Sequence, residues 1–242
     1  EYEFETESIE IEEDFIESES TETEDLDEDL DEVSIVHLLT AIRYRLPLLG
    51  VIQLHNSALA IAALQILREQ GWEISDNAIV DGIAKTKWAG RLQWVRWGNR
   101  ALLIDGAHNP ASAHVLREFV DSCILQPLAP SSSAPLPSPS PASIHWVMGM
   151  LSTKDHADIF TTLLRPGDSL YLVPVPDHSS AEPGQLAELA QEICPALAQC
   201  SPYPDVIPAL EAAFNNDKSL IVLCGSLYLI GHFLKLLATI EG

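Results

Sequence analysis

From residue 144 to residue 237 the chain changes its apolar period at regular intervals, and that alternation limits the folds open to it. The runs 144–150, 169–175 and 219–224 have the composition and length of buried strands. Between and after them, 154–164, 183–193, 205–214 and 226–237 read as helices, and 198–203 as a further short strand. Strands separated by helices form βαβ units. Those units give a three-layer α/β domain with a mostly parallel sheet and helices on both faces. Such sheets bind ligands beyond the carboxyl ends of their strands.

Ahead of this alternation lies a hairpin. Residues 92–97 and 100–104 read as strands around the turn pair Gly98-Asn99, and a helix starts near Ala111 and runs to Ser122. Pro110 suits the first helical turn, where its missing N–H leaves nothing unsatisfied. The intervening turn is Asp105-Gly106-Ala107-His108-Asn109-Pro110, which puts a carboxylate, an imidazole and an amide at a strand end. A lone Asp-Gly would be an ordinary turn. Gly225-Ser226 follows another strand and reads either as an anion cradle or as a helix N-cap. Upstream, 50–70 reads as an Ala- and Leu-rich helix with Gln53 and Asn56 near its start, closed by Gly71. Residues 75–84 form a second helix capped by Ser75, and 34–49 are expected to contain a strand. The segment 86–91, Thr-Lys-Trp-Ala-Gly-Arg, reads as a hinge. There Arg91 beside a glycine offers a planar fork of donors to a phosphate.

Charge excludes some partners. The formal net charge is −23, but residues 1–32 hold 18 of the 36 acidic residues and no Lys or Arg, leaving 18 acids against 13 bases elsewhere. Residues 1–33 therefore read as an acidic low-complexity segment and 127–143 as a Pro/Ser-rich loop. Phosphate neutralisation needs a basic surface, so nucleic acid is not expected as a partner. No apolar run has the length of a membrane span, and membrane binding is not expected. The cysteines Cys123, Cys194, Cys200 and Cys224 show no metal spacing, which fits a reducing, cytoplasmic setting.

The hexapeptide 105–110, about a dozen residues after Gly90-Arg91-Leu92-Gln93 and combined with Gly225-Ser226-Leu227-Tyr228-Leu229, resembles the folylpolyglutamate synthase / dihydrofolate synthase family of the Mur ligase superfamily. The similarity runs from about Leu46 to Gly242. Trp88-Ala89-Gly90-Arg91 is similar to the family's Trp-Pro-Gly-Arg hinge, with Ala89 for proline. Gly50, Gln53 and Asn56 match a Gly-x-His-Gln-x-x-Asn motif that here has Ile52 for histidine.

The resemblance implies a Mur-ligase-type C-terminal domain over 89–242, with a Rossmann-like, mostly parallel sheet and helices on both faces, preceded by the end of the central ATPase domain over 34–88. It implies an ATP-dependent ligase that adds L-glutamate to folates, to dihydropteroate, or to both, through an acyl phosphate. It also implies that Gln53, Asn56, Arg91 and Asp105 bind the nucleotide. His108 lies toward the incoming amino acid as catalytic residue, and Ser226 lies near the glutamate substrate. Lys154 and Asp155 match a further family stretch and are as open to a structural reading as to a catalytic one.

ATP and Mg²⁺ are the implied cofactors, and the full-length enzyme is expected to be a monomer. The pattern G-x-x-x-x-G-K-[ST] does not occur, and none of the five lysines follows a glycine. In the family that loop and the main Mg²⁺ ligands lie further upstream, so the 242 residues are expected to be inactive alone. A peptidoglycan-type amino-acid ligase and a non-catalytic nucleotide- or glutamate-binding module remain alternatives.

Overall fold

The computed structural model describes residues 42–98, 100–125, 143–215 and 219–241. The acidic segment 1–33 and residues 127–142 of the Pro/Ser-rich loop lie outside these. Seven helices and six strands are present among the described residues. In chain order they are α1 (Val51–Glu69), α2 (Asp76–Ala84), β1 (Gln93–Trp97), β2 (Arg100–Ile104), α3 (Pro110–Leu125), β3 (Ser143–Met148) and α4 (His156–Leu163). There follow β4 (Ser169–Leu172), α5 (Pro183–Ile193), β5 (Gln199–Pro202), α6 (Val206–Ala213), β6 (Ser219–Cys224) and α7 (Leu227–Glu241).

The strands form one sheet in the order β1-β2-β6-β3-β4-β5. β1 pairs antiparallel with β2, Gln93 opposite Ile104, and every other pairing is parallel. Successive residues point to opposite faces, so both faces must be apolar where both are covered. Leu103, Trp146, Met148, Leu170, Val222 and Cys224 belong to one buried cluster, which α3, α4 and α5 complete. Their neighbours Leu102, Ile104, Val147, Tyr171, Ile221 and Leu223 belong to a second, completed by α6 and α7. This two-sided burial is why Ser219–Cys224 reads as an almost unbroken apolar run.

Helix ends follow local chemistry. The Ser75 hydroxyl accepts from the Ala78 N–H at 3.1 Å, and the Glu182 carboxylate accepts from Gln185 at 2.7 Å with Pro183 in the first turn of α5. Glu182 is held below its usual carboxylate range by N–H bonds from Gly184 and Gln185. α4 begins at His156 rather than at 154, because Asp155 caps it by accepting from Asp158. On the buried side of α3, Arg117 donates to Asp168 at 2.9 Å, to the Leu163 carbonyl at 3.1 Å and to Asp121 at 2.7 Å. Asp168 also accepts from the Trp146 indole and the Arg165 N–H, each at 3.0 Å. One carboxylate thus ties α3, β3 and the start of β4 together.

One expectation is corrected here: residues 42–50 hold no strand, and the rest of the 34–49 expectation falls outside the described residues. Asn56 lies near the start of α1. The N-cap of α1 is Gly50 at φ 94°, without a side-chain cap, and Asn56 sits in the second turn.

Candidate functional site

β6 lies between β2 and β3, and the helices that leave it and its neighbours depart on opposite faces of the sheet. Crevices in open sheets form at such a reversal. The ladder extends one residue past the strands, with Asp105 N–H donating to Leu223 O at 3.0 Å and Gly149 N–H to Cys224 O at 3.3 Å. This places the Asp105–Asn109 turn and the Gly225-Ser226 junction side by side at the carboxyl edge.

Asp105 faces inward. One carboxylate oxygen accepts from the Leu92 N–H at 2.8 Å and the other from the Ala107 N–H at 2.7 Å. The side chain is buried. Burial pushes its pKa above the usual 3.8, against the opposing pull of those two N–H groups and of the nearby Arg91 and His108. Asp105 thus fixes the hinge and the turn against each other. The Gly106 N–H strengthens this link by donating to the Gly90 carbonyl at 2.8 Å.

The half-buried His108 projects from that turn. Its Nδ1 lies 2.8 Å from the Gly106 carbonyl. A carbonyl only accepts, so Nδ1 carries the proton and Nε2 keeps its lone pair in the neutral ring. The main chain of His108 is held by Ser112, whose hydroxyl accepts its N–H at 3.1 Å. Asn109 and Ser112 cap α3 reciprocally, Asn109 Oδ1 accepting from Ser112 N–H at 2.8 Å and Ser112 Oγ from Asn109 N–H at 3.2 Å. Asn109 is therefore a capping residue. Ser112 has no sequence signal, because a serine two residues past an Asn-Pro carries none of its own.

Arg91 is half-buried beside this turn, and no hydrogen bond or ion pair ties its guanidinium to another described residue. Ser226 is buried and caps α7, its hydroxyl accepting from the Tyr228 N–H at 3.2 Å. Leu227 packs against Gly106 so closely that a Cβ there would overlap its side chain, which joins the two halves of the site. At Gly225, φ is +100° and an added Cβ would lie 2.5 Å from the Gly149 carbonyl oxygen.

The structure thus brings Arg91, Asp105, His108 and Ser226 together. Gln53 and Asn56 stand apart on α1, hydrogen-bonded to each other at 3.0 Å. Their helix begins at Gly50, where an added Cβ would lie 2.6 Å from Leu92 Cδ1, next to the hinge. Lys154 and Asp155 lie at the start of α4, where Asp155 is a cap. Among the described residues no group of three His, Cys, Asp or Glu side chains is placed to hold a metal ion. No described helix is long and apolar enough to cross a membrane. A cavity of about 390 Å³ lined by Ser152, His156, Ser180, Glu182 and Gln185 includes none of Gln53, Asn56, Arg91, Asp105, His108 and Ser226.

Residues 91–236 match the family model described as the dihydrofolate synthetase C-terminal domain. The chain belongs to the folylpolyglutamate synthase / dihydrofolate synthase family. It is 30% identical over 184 residues to the dihydrofolate synthase/folylpolyglutamate synthase of Escherichia coli, a match covering 75% of this chain and 37% of the relative. Against the folylpolyglutamate synthase of Lacticaseibacillus casei it is 30% identical over 185 residues, 76% of this chain and 38% of the relative. The chain therefore spans well under half the length of these relatives. Among solved structures it resembles Escherichia coli FolC in complex with DHPP and ADP, with a TM-score of 0.59 and 26% identity over 82% of this chain and 42% of that one. A bifunctional family member solved with Mn, AMPPNP and L-glutamate gives a TM-score of 0.58 and 28% identity over 80% and 41%. These matches bear out the α/β fold with its mostly parallel sheet, and the family.

Proposed function

We propose that this segment forms the amino-acid side of an ATP-dependent ligase that joins L-glutamate to a folate or to dihydropteroate. The observation that carries the reading is the junction braced by Asp105, which is flanked by Arg91, with no hydrogen bond or ion pair to its guanidinium among the described residues, and by the His108 imidazole with an available Nε2, in a family with members solved with nucleotide and L-glutamate.

The reaction class activates a carboxylate as its acyl phosphate, and the glutamate amine then displaces phosphate. Arg91 suits the phosphoryl oxygens, whose charge it offsets through paired N–H donors. An ammonium group is not a nucleophile. His108 Nε2 is the group that takes the proton as the amine attacks, with Nδ1 anchored on the Gly106 carbonyl. Asp105 acts as the brace that holds both in register, and Ser226 fixes the α7 start beneath the amino acid. Gln53 and Asn56 lie on α1, whose Gly50 end packs beside Leu92 next to the hinge, and an amide pair there suits the nucleotide base. ATP thus fits the residues present. Among the described residues no group of three His, Cys, Asp or Glu side chains is placed to hold Mg²⁺. Residues 34–88 are read as the end of the ATP-binding domain and 89–242 as the ligase domain.

The test is turnover by the native polypeptide that carries this segment, with ATP, L-glutamate and either dihydropteroate or tetrahydrofolate, read as ADP and phosphate release. His108→Ala is expected to lower kcat about 100-fold or more, and Arg91→Ala to raise the KM for ATP. Turnover with UDP-linked acceptors but neither pteridine substrate would refute the reading.

A further inference from the structure

The cavity of about 390 Å³ lies where the chain leaves β3 and β4. Ser152 and His156, from the passage into α4, line it together with Ser180 and Glu182, from the passage into α5. Leu186 and Leu189 of α5 add an apolar surface. Both β6 and β3 stand between β4 and β2, the strand that leads into the His108 turn. The walls are fixed by main-chain ties between the two passages. Leu151 and Ser180 form an antiparallel bridge, Ser152 N–H donates to the Ser179 carbonyl at 2.8 Å, and Ala181 N–H donates to the Met150 carbonyl at 2.8 Å. A preformed cavity loses little conformational freedom when a ligand enters.

The lining is rich in acceptors. Glu182 caps α5 by accepting from the Gln185 N–H at 2.7 Å, its carboxyl is held below the usual range, and further lone pairs remain. His156 Nε2 lies 2.9 Å from the Leu151 carbonyl. A carbonyl only accepts, so Nε2 carries the proton and Nδ1 keeps a lone pair in the neutral ring. The Ser180 hydroxyl already donates to the Ala181 carbonyl at 2.9 Å, so it meets a ligand as an acceptor. None of the residues lining the cavity is Lys or Arg. A carboxylate with no cation beside it in the lining disfavours anions and attracts cations. An ammonium matches these walls, since it has three donors and no acceptor. Leu186 and Leu189 suit the methylene stem behind such a group. ATP, L-glutamate and folates are anions overall, so the cavity suits none of the substrates of the ligase reaction.

We propose that this cavity is a further binding site, separate from the Arg91–His108 junction, that takes a small alkylammonium ligand with its ammonium on Glu182 and His156 and its stem on Leu186 and Leu189. The site stands independently of the ligase reading.

The test is a ligand-observed NMR titration of the native polypeptide that carries this segment, with n-butylammonium as the probe and butyrate as the control of like size. Saturable binding of n-butylammonium is expected at about millimolar Kd, as a ligand this small permits, with none by butyrate. Glu182→Gln removes the charge but keeps an oxygen to cap α5, and is expected to weaken binding about fivefold. Ser152→Phe fills the cavity from an exposed position while the main-chain bond to Ser179 is kept, and is expected to abolish binding without lowering Tm. No saturation by n-butylammonium, equal binding of butyrate, unchanged affinity in both variants, or displacement of the amine by L-glutamate would each overturn the proposal. Loss of glutamate-dependent turnover bears only on the ligase reading.

Discussion

Gly225→Ala is the sharpest probe of how the strand ends meet. Two separate costs follow from the structure. The backbone at φ +100° disfavours any Cβ, and such strain is of order 1–3 kcal/mol. The Cβ would also lie 2.5 Å from the Gly149 carbonyl oxygen, 2.9 Å from Met148 Cγ and 3.2 Å from the Gly149 carbonyl carbon, so main chain as well as side chain must move. Forcing extra atoms into packed structure costs about 1–3 kcal/mol more. The sum is about 4 kcal/mol. At roughly 2–4 °C per kcal/mol for a chain of this size, that lowers Tm by about 8–16 °C. Gly167→Ala isolates the first cost, because Gly167 has φ +87° with nothing within 4 Å of an added Cβ. It should cost about 2 kcal/mol, or about 4–8 °C. Thermal melts followed by circular dichroism compare the two directly. If Gly225→Ala melts within about 2 °C of Gly167→Ala, the close approach of β6 to β3 at the site is wrong.

Three further outcomes are expected. Asp168→Ala removes the buried one of the two carboxylates paired with Arg117 and strips the Trp146 indole of its acceptor, so urea unfolding should show a loss of about 2–4 kcal/mol; a loss below about 1 kcal/mol would contradict the buried network. His145 is buried between the Ala213 carbonyl and the Ser219 hydroxyl, and burial lowers its pKa below the usual 6.5. The unfolded chain therefore binds a proton that the native state refuses as pH falls below 6.5. Stability from this group is full above that pH and lost below it, so His145→Gln should flatten the Tm profile between about pH 7.5 and 5.5 relative to the parent. Burial pushes the thiols of Cys123 and Cys200 up to about 11 and that of Cys224 well above its usual value. Alkylation of these three at neutral pH should be slow in the native chain and fast in urea, as peptide mapping would show.

The elements were legible where composition and period agree. Ser219–Cys224 and Pro183–Ile193 were readable residue for residue, the first because a strand covered on both faces has no polar alternation, the second because a proline opens it and the apolar spacing ends with it. β3 and β4 are shorter than the runs 144–150 and 169–175. The apolar sequence continues after the strands end, since Met150 and Val173 stay buried while the chain already turns. The strand order was not legible. Nothing local in 219–224 announces that it inserts between β2 and β3 rather than adding beside β5. At the site, the turn and Arg91 could be found from their chemistry. The inward aim of Asp105 could not, because its partners Leu92 and Ala107 contribute only main-chain N–H groups, which every sequence has. The contact of the His178 and Tyr228 rings, with centroids 3.7 Å apart, spans fifty positions and leaves no pattern in either segment.

The place of β6 also bears on how the chain is made. A ribosome delivers five of the six strands before residue 219 emerges, yet the strand still to come belongs in the middle of the sheet. Until then β2 and β3 have no common neighbour, and each waits with an open edge of unpaired N–H and carbonyl groups. The hairpin that carries Arg91 and His108 is held to the remainder of the sheet through Leu103–Val222, Ile104–Leu223 and the Asp105–Leu223 bond, all of them contacts with β6. A nascent chain halted before residue 219 would therefore be a half-sheet and a loose hairpin, open to capture by chaperones or by other chains.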